Sequence, residues 1–360
     1  MIRSPQQDVA AREFSHWFRN PSSPVFRLFG YAGTGKTTLA KHLAGDVSHR
    51  TVFAAFTGKA ALMLKRRGCA DASTIHSLIY RPVEKRDGSV EYEINDNSPL
   101  REASLCVIDE CSMVDEDLAA DLLSFNVPIL ALGDPAQLPP VAGAGYFTEA
   151  EPDVMLTEIH RQLTGNPIIS MSIDVREGRR LAYGDYGSSR VIRRADLLEE
   201  DVLKADQILV GKNITRQNIN AKFRQITGKP PGAPTKGDKV VCLKNNHNKG
   251  LLNGGLWEVQ STYRDQNAHR MVVTPEDEGS ATAIVVPDEF FRGTEKELDW
   301  RALKRVDQFT YGYALTVHKS QGSQWDDVVI FDESAVFRED RHRHLYTAIT
   351  RAAKRVTVVQ

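Results

Sequence analysis

The string Gly30-Tyr31-Ala32-Gly33-Thr34-Gly35-Lys36-Thr37 fits the pattern GxxxxGK[ST]. It stands where such a loop has to stand, between an apolar run, Val25 to Phe29, and a stretch of helical character from Thr37 through Ala44. Glycines allow successive backbone N–H groups to turn toward phosphate oxygens, and the start of the helix adds partial positive charge. Lys36 is placed to reach β- and γ-phosphates, and the Thr37 hydroxyl to ligate Mg²⁺. A strand that feeds a helix in this way belongs to a parallel sheet covered by helices. Thr51 to Phe56, Leu105 to Ile108 and Ile129 to Leu132 read as further buried strands. Each is followed by polar or glycine-rich residues, so the unusual chemistry gathers at the carboxyl ends of the strands, where open α/β sheets bind ligands.

With 360 residues the chain has room for two or three compact domains. Arg81 to Asn95 interrupts the α/β rhythm with two alternating polar stretches around Asp87-Gly88, which predicts a β-hairpin projecting from the first domain. A second α/β half is expected to begin near Leu156, giving domains at 1–155 and 156–360. In it Gln207 to Val210 reads as a strand, and Arg216 to Ile226 as a helix closed by Gly228 and Pro230-Pro231. Residues 237–307 are β-rich, with short strands at Val240 to Leu243, Leu256 to Gln260, Met271 to Thr274 and Thr282 to Val286, as for a small inserted barrel. The α/β pattern returns with Phe309 to Ala314, Asp327 to Phe331 and Arg355 to Val359.

Four cysteines without CxxC spacing argue against a zinc site or a disulfide framework. The first residues lack an apolar signal core and no apolar run approaches a membrane span, so a cytoplasmic protein without membrane attachment is expected. A net charge of −1 means that any polyanion would have to meet a local basic patch.

Val107-Ile108-Asp109-Glu110 complements the phosphate loop: an apolar strand delivers two acids to the same sheet edge. Asp109 is expected on the metal and Glu110 on the attacking water. Gln137, after the next strand, is a candidate sensor of the γ-phosphate. Arg161 and Arg351 are candidate arginine fingers.

Taken in order, these motifs resemble a superfamily 1 helicase of the RecD/Dda-like branch. The matching stations are Gly30 to Thr38, Phe56 to Ala61, Ser73 to Leu78, Asp109 to Met113, Gly133 to Val141, Leu315 to Ser323 and Tyr346 to Ala352. The resemblance implies two RecA-like P-loop NTPase domains, with a short β-hairpin wedge at 80–100 in the first and an SH3-like insertion at 237–307 in the second. It implies ATP and Mg²⁺ as cofactors, with Gln7 reading adenine and Gly33, Thr34, Gly35, Lys36, Thr37 and Thr38 around the nucleotide. It also implies a monomer that moves 5′→3′ on single-stranded DNA and opens forked or tailed duplex. An ATP-gated nucleic-acid-binding switch and an RNA-directed motor of the same superfamily stand as alternatives. Many relatives have Glu where this chain has Gln324, so a ribose contact there would fall to an amide.

For the nucleic-acid path, Lys59, Lys65, Arg66 and Arg67 follow the second strand and residues 338–360 are rich in Lys and Arg, whereas residues 84–121 are acidic. Thr57, Thr74, His76, Thr316, His318 and Lys319 stand in the motifs that face DNA in the family, with Phe56 and Tyr80 beside them. His342 and His344, between arginines, are expected at the surface or facing phosphate. Phe14, Trp17 and Phe18 are expected to form a helical core stripe.

Overall fold

The computed structural model describes residues 3–47, 50–84, 90–139, 145–158, 165–276, 279–299, 303 and 305–360. The chain forms two compact units, Met1–Ser170 and Met171–Gln360.

The first unit opens with α1 (Pro5–Arg19), started by Ser4 as N-cap and Gln7 as its capping-box partner. It continues through β1 (Val25–Gly30), α2 (Lys36–Asp46), β2 (Thr51–Ala55), α3 (Gly58–Arg66), β3 (Ser73–Thr74), α4 (Ile75–Ile79), β4 (Tyr80–Glu84), β5 (Val90–Ile94), β6 (Leu105–Asp109), α5 (Glu116–Leu123), β7 (Ile129–Gly133) and β8 (Val154–Leu156). Six of these strands make a sheet in the order β3-β2-β6-β7-β1-β8, parallel throughout. Because side chains alternate across a strand, Phe26, Leu28, Leu105 and Val107 pack on one face with Phe14, Trp17, Leu39 and Leu43. Phe29, Cys106 and Ile108 pack on the other with Ile75, Ile79 and Leu118. Both faces are therefore covered, as the near-continuous apolar strands require. Phe14 and Trp17 are buried as the helical stripe predicted, with Phe18 packed against them.

The expected boundary at Leu156 shifts, because Val154–Leu156 is no start of a second half. It pairs with β1 as the edge strand of the first sheet. β4 and β5 pair antiparallel, and the Asp87-Gly88 turn expected between them lies outside the described residues.

The second unit contains α6 (Pro167–Arg176), which the division between units crosses, then β9 (Gly184–Tyr186), β10 (Ser189–Ile192), α7 (Glu199–Lys204), β11 (Gln207–Val210) and α8 (Asn213–Ile226). Next come β12 (Lys239–Cys242), β13 (Leu256–Asp265), β14 (Ala268–Pro275), β15 (Thr282–Pro287), α9 (Glu289–Arg292), β16 (Phe309–Tyr311) and β17 (Ala314–Thr316). The unit closes with α10 (Val317–Ser320), β18 (Trp325–Phe331), α11 (Arg341–Ile349) and β19 (Ala352–Val359). Its main sheet runs β17-β11-β18-β19-β10-β9, parallel except for the β9/β10 pair. A second sheet, β15-β14-β13-β12-β16, is antiparallel. It packs Trp257, Val259, Met271 and Ile284 around its own apolar cluster.

The sequence suggests one strand from Phe309 to Ala314, and the structure breaks it in two. Phe309–Tyr311 pairs with β12 in the small sheet, while Ala314–Thr316 pairs with β11 in the main one. The break falls at Gly312, where a Cβ would lie 2.9 Å from a Leu256 methyl and 3.1 Å from the Val240 carbonyl carbon. Asp238 stands just before β12, where the chain enters the small sheet. It is fully buried, paired with the Arg224 guanidinium at 3.1 Å and accepting the Tyr313 hydroxyl at 2.7 Å. Among the described residues no helix is long and apolar enough to cross a membrane.

Candidate nucleotide site and nucleic-acid interface

In the first unit the chain leaves β1 at Gly30, where there is no room for a side chain: a Cβ would stand 2.7 Å from the Thr34 hydroxyl and 2.9 Å from Leu156. Gly33 and Gly35 take left-handed backbone conformations (φ 81° and 78°) that only glycine adopts without strain. Within the loop the Tyr31 N–H donates to the Leu156 carbonyl and the Thr34 N–H to the Tyr31 carbonyl, which fixes the turn before α2 begins. The Lys36 ammonium lies over the loop, donating to the carbonyl oxygens of Gly30 and Tyr31. Thr34 is buried and ties its hydroxyl to the Tyr31 carbonyl at 2.8 Å, whereas Thr38 is exposed on α2.

The two acids arrive from β6. The Thr37 hydroxyl donates to Asp109 Oδ2 at 2.9 Å, and the Glu110 N–H donates to Asp109 Oδ1 at 2.9 Å. Glu110 itself has φ 55°, a left-handed conformation costly for a non-glycine residue and found most at functional sites. Thr37 and Asp109 offer two oxygen donors on one edge of the sheet. That suits Mg²⁺, which takes one or two protein oxygens and completes its octahedron with water and phosphate oxygens. Gln137, at the end of the turn after β7, is buried, and its Oε1 has no hydrogen-bond partner among the described residues. The buried Asp134 holds that turn by accepting the Ala136 N–H at 3.0 Å.

Gln7 does not stand free. Its Oε1 accepts the Ser4 N–H and its Nε2 donates to the Thr34 carbonyl at 3.1 Å, so α1 is moored to the phosphate loop. Gln6 is spent as well, on Thr157 and Glu158. Arg161 lies outside the described residues. Arg351 is buried in the second unit, its guanidinium donating to Thr347 O, Ser323 O and the Thr350 hydroxyl.

The threonines expected to face nucleic acid share one structural role. Thr57, Thr74 and Thr316 are the N-caps of α3, α4 and α10, each accepting an N–H from the first turn. Two of them repeat a local design, Thr74-Ile75-His76 and Thr316-Val317-His318. Each follows a short strand on the edge of its sheet, and each carries a histidine two residues past the cap. In the first unit the exposed His76 sits between the rings of Phe56 (5.8 Å) and Tyr80 (5.9 Å). In the second, His318 is half-buried against Phe337 at 5.6 Å. Lys319 beside it donates to Asn253 Oδ1, and burial lowers its pKa.

His344 departs from expectation. Flanked by arginines, it was expected at the surface, yet it is 1% exposed and stacked on Phe337 at 4.0 Å. Adjacent residues on a helix face different ways, so α11 turns His344 inward while Arg343 beside it stays exposed. Sequence reasoning missed Glu333. Its carboxylate accepts the N–H groups of Gly211 (3.0 Å) and Lys212 (2.9 Å) and the Thr215 hydroxyl (2.7 Å) at the start of α8. Nothing in a lone acid so far along the chain announces that contact.

An AAA domain family model matches residues 4–196, more than half of the chain, and a UvrD-like helicase C-terminal domain model matches residues 311–359. The chain belongs to the superfamily 1 helicases of the RecD/Pif1 type. It is 30% identical over 357 residues to the ATP-dependent RecD2 DNA helicase of Deinococcus radiodurans, covering 91% of this chain and 46% of that protein. It is 33% identical over 165 residues to the ATP-dependent DNA helicase dda of Enterobacteria phage T4, covering 42% of this chain and 37% of that protein. The chain thus spans less than half the length of either relative. Among solved structures, a Bacteroides Pif1 bound to single-stranded DNA shares the fold, with a TM-score of 0.59 at 20% identity over 99% of this chain and 92% of that one. The RecA-like character of both units follows from that likeness together with the two parallel-stranded sheets.

Proposed function

We propose that this helicase-family chain is an ATP-driven motor that moves 5′→3′ along single-stranded DNA and separates duplex at forks and tails. The observation that carries the reading is the 2.9 Å contact between the Thr37 hydroxyl and the Asp109 carboxylate. It joins the phosphate loop to the acidic strand end, and Glu110 follows directly. In this reading Lys36 and the loop N–H groups bind the β- and γ-phosphates, Thr37 and Asp109 hold Mg²⁺, and Glu110 takes the proton of the attacking water. Bound Mg²⁺ would supply charge neutralisation on the phosphates. Gln137, whose buried Oε1 has no partner among the described residues, orients that water or reads the γ-phosphate. Arg161 and Arg351 deliver positive charge to the transition state.

Strand binding is assigned to Thr57, Thr74, His76, Thr316, His318 and Lys319. The repeated capping threonine and histidine in both units support this, as do the DNA helicases among the relatives. The β4/β5 hairpin, with Tyr92 71% exposed, is the wedge, and the small antiparallel sheet is the SH3-like insertion. The direction of travel rests on the family resemblance, as do action as a monomer and a cytoplasmic setting.

The test is ATP hydrolysis with Mg²⁺, with and without an unstructured DNA strand, using Lys36→Ala as the blank. Many-fold stimulation in the wild type and a loss of roughly 10²–10³ in the variant are expected. Preference for 5′-tailed over 3′-tailed duplex in an unwinding assay then fixes direction. Hydrolysis indifferent to DNA but responsive to RNA, or strand binding without unwinding, would replace the reading with an RNA motor or a switch.

A further inference from the structure

One buried histidine has no part in the site described above. Neither ring nitrogen of His344 meets a hydrogen-bond partner among the described residues, although the side chain is 1% exposed. A neutral imidazole carries one donor and one acceptor, and burying them unpaired is costly enough to call for an explanation. Burial holds its pKa down at about 4, with His318 also disfavouring the proton and Asp332 and Glu333 favouring it, so the ring is neutral near pH 7.

Its surroundings point to a task. Phe337 lies nearly flat on the His344 ring, with an interplanar angle of 16°, and His318 tilts against the same phenyl ring at 5.6 Å. The two histidine rings are 6.3 Å apart. The helix that carries His344 also leads to Arg351, whose Nη1 donates at 3.2 Å to the Ser323 carbonyl in the loop after α10. Its Nε donates at 3.1 Å to Thr347 on α11. The α10 segment and α11 are therefore joined at two places, through His318, Phe337 and His344 at one and through Ser323 and Arg351 at the other.

We propose that His344 is a positioning residue for His318, and that through α11 it ties strand occupancy at His318 to the placement of Arg351. The inference rests on the strand-coupled reading above. In this proposal a bound strand turns the His318 ring until it hydrogen-bonds a His344 nitrogen, which has no partner among the described residues, and that setting differs from the one in the structure, where the two rings stand 6.3 Å apart. A packed element with two discrete arrangements is what carries coupling between separated sites.

The experiment compares wild type, His344→Leu and His344→Asn. Leucine fills the space without the nitrogens, and asparagine returns a polar group near the position of Nδ1. His344→Leu is expected to melt at or above the wild-type temperature, to hydrolyse ATP without DNA at the wild-type rate, and to bind a labelled strand within about twofold of wild type, while losing roughly tenfold of the strand-stimulated maximal rate. His344→Asn is expected to recover part of the stimulation. Full stimulation in His344→Leu overturns the proposal. So does a proportional fall of basal and stimulated rates, which would make His344 part of the folded frame alone. Wild-type protein that hydrolyses ATP and ignores the strand overturns the strand-coupled reading and this inference together, which separates that failure from a failure of His344 alone.

Discussion

Both units place the start of a helix behind a central strand, and they treat that start in opposite ways. After β1 in the first unit, glycines in left-handed conformations wind the backbone into a loop, and Lys36 lies over it. After β11 in the second unit, the equivalent donors of Gly211 and Lys212 are filled by the carboxylate of Glu333, with the Lys212 ammonium at 3.0 Å from it. A helix start attracts anions wherever it occurs. The same crossover thus yields a ligand site in one unit and an internally neutralised joint in the other, and a single acid makes the difference.

The largest effect expected from testing this contrast lies at the first site. Glu110→Gln should keep nucleotide affinity and lower turnover by about 10²–10⁴, as for loss of a general base; single-turnover hydrolysis beside a nucleotide-binding titration checks it. An equal loss of binding would reassign Glu110 to the metal.

At the second site, Glu333→Ala uncovers the donors. It should cost roughly 1–3 kcal/mol in urea denaturation. Inorganic phosphate should then raise the melting temperature of the variant more than that of the wild type. If phosphate does nothing for the variant, the joint lacks the character of an anion site and the comparison fails.

A smaller effect comes with acid. Burial would raise the Glu333 pKa, but hydrogen bonds from the Thr215 hydroxyl and Lys212 outweigh it and hold the group below its ordinary value. A carboxylate lowered in the folded state stabilises above its unfolded pKa, near 4.3, and loses that contribution as pH falls through the folded value. Wild type should therefore lose its margin over Glu333→Gln as the solution is acidified below about pH 4.3, read from urea midpoints.

The smallest change is expected from Gln7→Ala. It removes the mooring of α1 to Thr34 and half of the capping box, for about 1 kcal/mol in denaturant unfolding. A large rise in the ATP KM without a change in stability would instead assign Gln7 to adenine reading.

The parts of the molecule that could be read beforehand are those written as contiguous strings. The phosphate loop and Asp109-Glu110 combine a strand end and a turn within a few residues, so local physics places them. The hairpin was legible for the same reason, since alternation shows a two-stranded ribbon directly. What stayed hidden depends on distant packing. Glu333 meets Gly211 only because β11 and β18 are neighbours in the main sheet. His344 was misplaced because its arginine neighbours suggested a polar face, while the helix turned it toward Phe337. The run from Phe309 to Ala314 carries no charge, and periodicity has no sign for a chain that changes sheets at a glycine.

That change of sheets reaches beyond the strands it separates. The insertion departs at Asp238 and comes back at Tyr313, and these two residues touch through the tyrosine hydroxyl. Asn220 holds the return by bonding Tyr311 O, Ala314 N and Ala314 O, while Gln207 bonds the carbonyls of Gly312 and Tyr313. To the main sheet the whole excursion is a cassette clipped in at adjacent ends. Its antiparallel ladder shares no strand with the main sheet, so a change within β13, β14 or β15 leaves the pairing of the main sheet as it is.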